Sequence, residues 1–147
     1  MAKKTSKFVD KKQKIMTLAG KRKTAIAKAT IQEGEGKVTI NNKLLNSFNS
    51  FQQLSLKEPL VLAESIVGDG LRSIKIEIIV HGGGSESQIE ASRLALARAL
   101  VAWFKDSNLK NKFLKYDRML LVADTRRKEM RKPNDSKARA ARQKSYR

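Results

Sequence analysis

The chain contains no cysteine, which rules out disulfides and thiolate metal sites from the start. Histidine occurs once, at His81, and one imidazole without thiols makes none of the usual zinc sites. As a catalytic base His81 would need a nucleophile and an orienting carboxylate at defined spacing, and no such spacing is present. Its plain reading is a histidine at a strand end, near the surface or an RNA phosphate. Aromatic residues make up 5% of the chain, with a single tryptophan. That is too few, and too scattered, for the stacking platforms on which single-stranded bases are read. No apolar run approaches the roughly 18 residues a membrane helix needs. The basic start Met1-Ala2-Lys3-Lys4-Thr5-Ser6-Lys7 is followed by no apolar stretch of signal-peptide length. The expectation is a soluble, intracellular, non-enzymatic chain with no metal, no cofactor and no membrane contact.

Acid is scarce where base is dense. The 147 residues hold 32 Lys and Arg against 14 Asp and Glu, a formal charge of +18. Residues 1–28 carry ten basic residues and one acid, and residues 126–147 carry ten and two. The 97 residues between them carry twelve and eleven. The excess therefore sits in two terminal arms around a nearly neutral middle. Solubility alone would spread the charge over the surface. Segregated positive charge repels itself unless a polyanion compensates it. Nucleic acid fits best, because basic arms neutralise phosphates and release counterions. A membrane surface would want an amphipathic basic helix, and residues 126–147 offer only Met130 and Tyr146 as sizeable apolar groups.

The pattern along the chain gives three parts: a basic N-terminal extension at 1–13, a globular α+β domain at 14–125, and a basic tail at 126–147. Strand-like residues begin at Ile15 and recur over Thr24–Ile31. Gly34-Glu35-Gly36 reads as a hairpin turn, with Lys37–Ile40 as the returning strand ended by Asn41-Asn42. Glu58-Pro59 reads as a helix start, and Gly68-Asp69-Gly70 stops that helix. Ser73–Val80 alternates cleanly and predicts a half-buried strand. Ser85 to Gln88 reads as a capping box opening a long helix with a wide apolar stripe. Leu109–Leu114 predicts a short helix, and Met119–Ala123 a last strand. The predicted architecture is a sheet of about four strands with helices on one face and two extended arms. The arms hold too little to bury to offset ordering entropy of roughly 1–2 kcal/mol per residue. They are expected to order only on a partner.

Two segments could carry binding chemistry. Gly82-Gly83-Gly84 lies between a strand and a helix N-terminus, where backbone N–H groups and the helix dipole favour an anion. It is neither a Walker A loop nor a dinucleotide fingerprint. Its alternatives are a turn too closely packed for side chains, or a phosphate contact. Lys21-Arg22-Lys23 puts three cations in a row where an extended chain sends them alternately to both sides. They form either a solvated face or a grip on a phosphate backbone.

Three separated motifs then point one way: Gly20-Lys21-Arg22-Lys23-Thr24-Ala25-Ile26-Ala27; Gly82-Gly83-Gly84 with Gln88, Ala91, Arg93, Ala95, Arg98, Ala99 and Leu100; and the end Gln143-Lys144-Ser145-Tyr146-Arg147. In that order and spacing, over residues 14–147, the chain resembles the universal ninth-protein family of the small ribosomal subunit. The Lys-Ser-Tyr-Arg end resembles its archaeal and eukaryotic cytosolic form, and the short chain favours an archaeal source. The resemblance implies a four-stranded sheet with a left-handed β-α-β unit, shared with the fifth small-subunit protein. It implies a structural constituent of the small subunit, bound to rRNA of the head (the 3′ major domain) beside neighbouring head proteins. It also implies a tail whose end reaches the anticodon stem-loop of P-site tRNA through Lys144, Ser145, Tyr146 and Arg147. The residues expected on rRNA are Lys21, Arg22, Lys23, Gly82, Gly83, Gly84, Arg126, Arg127, Lys128, Arg131, Lys132, Lys137, Arg139 and Arg142. The chain departs from the family pattern at Arg131-Lys132-Pro133-Asn134-Asp135-Ser136, where a Lys-Lys-x-Gly-like segment is common. Two rivals fit less well. A galactokinase-like small-molecule kinase would be longer, with an acidic pair near the glycine loop to hold magnesium. A DNA-compacting protein would prefer duplex DNA to rRNA.

Overall fold

The computed structural model describes residues 14–134, 137–141 and 145; the N-terminal extension expected at 1–13 lies outside them. Among the described residues five strands and three α-helices form an α+β fold. β1 (Met16–Arg22) and β2 (Ala25–Glu33) make an antiparallel hairpin. β3 (Val38–Ile40) and β4 (Lys43–Leu44) follow, then α1 (Ser50–Val67), β5 (Ile74–His81), α2 (Ser85–Phe104) and α3 (Ser107–Tyr116). The sheet order is β1-β2-β5-β3-β4, with β5 antiparallel to β2 and parallel to β3.

Alternation builds the sheet. Ala25, Ala27, Ala29 and Ile31 of β2 and Ile74, Ile76, Ile78 and Val80 of β5 are buried on one face. Between them Ile26, Lys28, Ile79 and His81 stay exposed on the other. The small residues on the buried face let α2 lie close across β1 and β2. At Gly20 the approach is so tight that a Cβ would sit 2.7 Å from the Ala95 backbone N and closer still to the Ala91 carbonyl oxygen. α1 packs against α2, and α3 packs on both. α2 is therefore buried on most of its circumference, at Ile89, Ala91, Leu94, Ala95, Leu96, Ala97, Ala99 and Leu100. Each large side chain sealed in this core, such as Phe113, Leu56 or Ile76, contributes on the order of 2 kcal/mol.

Several sequence expectations need correction. The sheet has five strands rather than four. Asn41 and Asn42, with φ of 47° and 64°, form a two-residue turn that adds the short β4. Lys37–Ile40 does not return on β2, because β5 lies between them. β2 pairs with the whole of β5, from Ile26↔His81 to Glu33↔Ile74, a longer and more apolar ladder than three-residue β3 could offer. α1 starts at Ser50, not at Glu58, and holds Pro59 inside. The break of roughly 3 kcal/mol expected there is offset by burying Leu56, Pro59 and Ala63. Gly84, not Ser85, is the N-cap of α2, with no side-chain cap. Gln88 instead sends its side-chain amide to the Gly82 carbonyl at 3.1 Å. Met119–Ala123 is not a strand: a 3-10 turn at Arg118–Leu120 leads into irregular chain. The outward Ala19 carbonyl of β1, which another strand would have used, accepts from Arg98 Nη1 at 2.9 Å.

Candidate nucleic-acid interface

The β1–β2 hairpin closes at Arg22↔Ala25, leaving Lys23 and Thr24 as the turn, with Lys23 at φ 51°. Because the β2–β5 ladder ends at Ile26↔His81, the glycine loop after β5 arrives directly against this turn. Gly82 and Gly83 have φ of 74° and 69°. A Cβ on Gly82 would lie 2.6 Å from the Thr24 carbonyl, and one on Gly83 would lie 2.9 Å from the Ala25 Cβ. Two of the three glycines are thus demanded by close packing and left-handed backbone, whereas Gly84 faces open space. The loop supports the cationic turn from behind.

Lys21 and Lys23 are exposed, but Arg22 is not. Its Nε lies 2.5 Å from Glu90 Oε2 and its Nη1 2.9 Å from Asp124 Oδ2. Asp124 also takes Arg126, with Nη2 at 2.6 Å, Nε at 2.9 Å and the backbone N–H at 2.8 Å. Hydrogen bonds from the Arg126 side chain and backbone, with the charges of Arg126 and Arg22, hold the Asp124 carboxyl at about 2 against the opposing effect of desolvation. The same contact raises the Arg126 guanidinium above its ordinary value. Two runs far apart in sequence are thereby joined. Arg22, Lys23 and Thr24 face Arg126, Arg127 and Lys128 across an open groove of about 670 Å³, and none of these lining residues is acidic. Lys21 lies on the rim of a smaller hollow of about 220 Å³ that it shares with Glu90, Arg93, Asp117 and Asp124. In that hollow cations and carboxylates alternate, and Arg93 Nη2 reaches Glu58 at 2.5 Å and Asp117 at 3.2 Å.

Beyond the groove the described tail residues have no helix or strand. Arg131, Lys132 and Lys137 are exposed, and Met130 is bare at 91%. Arg139 forks onto Glu129, with Nε 3.0 and 2.9 Å from its two oxygens, which raises the Arg139 guanidinium. Ser145 is exposed; Arg142, Lys144, Tyr146 and Arg147 lie outside the described residues. The residue-by-residue reading gave Glu90, Arg98 and Asp124 no role. Asp124 had a local signal, an acid two residues before a basic run, which forms an Asx-type turn here. Glu90 stands 68 residues from Arg22, and no sequence spacing announces that pair.

No group of His, Cys, Asp or Glu able to hold a metal ion occurs among the described residues, and none of their helices is long and apolar enough to cross a membrane. The family pattern described as Ribosomal protein S9/S16 matches residues 20–147. The small ribosomal subunit protein uS9 of Methanococcus maripaludis is 47% identical over 137 residues, covering 91% of this chain and 99% of the relative. That of Methanococcus vannielii is 46% identical over the same shares. The chain belongs to the ribosomal protein S9/S16 family, the ninth-protein family of the small subunit in its archaeal form, and is a structural protein rather than an enzyme.

Proposed function

We propose that the chain binds small-subunit rRNA in the head, on the 3′ major domain, and touches the anticodon stem-loop of P-site tRNA with the end of its tail. The observation that carries the rRNA reading is the acid-free groove, in which Lys23, Arg126, Arg127 and Lys128 converge from both ends of the folded part. With Arg22, five cations line one open channel and match the spaced charges of a phosphate backbone, a contact that fixes position without reading sequence. Lys21, Arg131, Lys132 and Lys137 extend the track, since all four are exposed. Arg139 and, from the sequence alone, Arg142 are assigned to the same rRNA contact. In this reading Gly82, Gly83 and Gly84 hold the cationic turn and bring backbone N–H groups near the RNA.

Residues 14–125 then act as the folded unit, and the arms take their order from RNA and from neighbouring head proteins. We take the crossover from β3 through α1 to β5, which joins two parallel neighbouring strands, as the left-handed β-α-β unit that the family resemblance implies. Lys144, Ser145, Tyr146 and Arg147 form the tRNA contact, where a guanidinium, an ammonium and two hydroxyls can meet phosphate without any demand on the anticodon. Photocrosslinkers at Lys23 and Lys128 should both mark rRNA of the 3′ major domain in assembled subunits. A crosslinker at Tyr146 should mark tRNA. Crosslinks to proteins alone from positions 23 and 128 would overturn the rRNA reading, and equal affinity for duplex DNA would favour a compaction role.

A further inference from the structure

An RNA-binding groove gains nothing electrostatically from a carboxylate next to it, yet Asp124, although it does not line the groove, is paired with two arginines that do, Arg22 and Arg126. Its side chain is 8% exposed and that of Arg22 17%, whereas Arg126 is 82% exposed. Asp124 is the link between two guanidinium groups, one from β1 and one from the start of the tail. Glu90 of α2 holds the other side of Arg22. Arg98, also from α2, donates to the carbonyls of Ala19 and of Leu121, a few residues before Asp124, both at 2.9 Å. Residues 121–126 are thus fastened to the free edge of β1 by side chains. Past them every described tail residue but Ala138 is exposed, so this is the last point at which the packed domain can set the tail's direction.

We infer that the Arg22–Asp124 pair is a positioning clamp for RNA binding: it aims the emerging tail so that Arg126, Arg127 and Lys128 face Lys23 across the groove. The inference rests on the rRNA reading above, and it adds that a negative charge is required for affinity toward a polyanion. Without the clamp, three long side chains and their backbone must be ordered by the RNA at the moment of binding. Immobilising rotamer-rich side chains opposes association. A partial loss of order here weakens affinity by about fivefold, the equivalent of about 1 kcal/mol. The Asp124 carboxylate, held at about 2 by Arg126 and Arg22, stays charged throughout the neutral range.

The sign of the effect makes the test. Asp124→Asn raises the net charge by one, so Coulomb attraction alone predicts tighter binding, while the clamp predicts about fivefold weaker binding. Arg22→Lys leaves the net charge unchanged, and a lysine cannot fork between Glu90 and Asp124 as a guanidinium does; it should weaken binding to a similar degree. The measurement is anisotropy of a labelled transcript of the archaeal 3′ major domain, titrated with full-length chain at a temperature where melting curves show each variant folded. In an Arg127→Ala, Lys128→Ala background, Asp124→Asn should lose most of its penalty, because two of the three side chains the clamp aims are gone. Parent-like or tighter binding by Asp124→Asn overturns the clamp while leaving the rRNA reading intact. If Arg127→Ala, Lys128→Ala itself binds like the parent, the rRNA reading is what fails. Should Asp124→Asn not fold, Arg22→Lys carries the same test, and parent-like affinity there overturns the clamp.

Discussion

Gly20 is where strand and helix backbones meet, and Gly20→Ala measures how much the fold depends on that approach. The added Cβ would lie 2.7 Å from the Ala95 backbone N, 3.1 Å from the Ala95 Cβ, and nearest of all to the Ala91 carbonyl oxygen. Two of these three atoms belong to helix backbone, so no rotamer change relieves the clash; α2 must move off β1 as a body. That movement loosens Ala91, Ala95 and Ala99, all fully buried. Overpacking in a tight core costs about 1–3 kcal/mol, and a backbone clash belongs at the upper end, about 3 kcal/mol. At roughly 4 °C per kcal/mol for a folded part of this size, Tm should fall by about 12 °C. Thermal and urea unfolding followed by far-UV circular dichroism and Trp103 fluorescence give the value. Gly84→Ala is the control, since nothing lies within 4 Å of its added Cβ and its φ is −98°; it should stay within about 1 kcal/mol of the parent. A Gly20→Ala variant that melts within 2–3 °C of the parent (under about 1 kcal/mol) would refute the close-contact reasoning.

Further outcomes follow from the same geometry. Lys21→Ala with Lys23→Ala should lower the log–log salt slope of rRNA affinity by about two units, near 0.9 for each phosphate no longer neutralised; an unchanged slope would make these side chains merely solvated. Deleting residues 145–147 should speed tRNA dissociation from the P site by the equivalent of about 1–3 kcal/mol, similarly for tRNAs of different anticodon, while rRNA binding persists. An effect on one tRNA species alone would contradict backbone recognition. Asn41 sits at φ 47°, and its side chain accepts from Val80 N at 2.9 Å and donates to Val80 O at 3.2 Å. Asn41→Ala should cost about 2–3 kcal/mol and Asn41→Gly about 1 kcal/mol less, because glycine is spared the left-handed strain; equal urea midpoints would remove the strain argument. The carboxyl of Asp124 titrates near 2 instead of the ordinary 3.8. Its contribution to stability is therefore complete above pH 3.8 and lost as pH falls through 2. A carboxyl NMR titration with its midpoint near 3.8 would show that the Arg126 and Arg22 pairings do not persist in solution.

The sequence by itself determined the features that depend on local order. Alternation at Ile74, Ile76, Ile78 and Val80 needed only period two to predict β5, and the long apolar stripe after Gly84 needed only helical period to predict α2. The concentration of charge in residues 1–28 and 126–147 needed only counting, and the three motifs that resemble the ninth-protein family are contiguous or nearly so. Tertiary structure alone decided what depends on competition between distant segments. Periodicity says that β2 is a strand but not whether β3 or β5 will lie beside it, and the longer ladder took the place. Pro59 carries a local penalty that only packing against α2 can outweigh. Alternation along Lys21-Arg22-Lys23 says that the three side chains leave on both sides, but only the packed fold brings Glu90 and Asp124 to meet Arg22. An ion pair needs proximity within a few ångströms, and proximity between residues 22, 90 and 124 is a property of the packed fold that no spacing along the chain encodes.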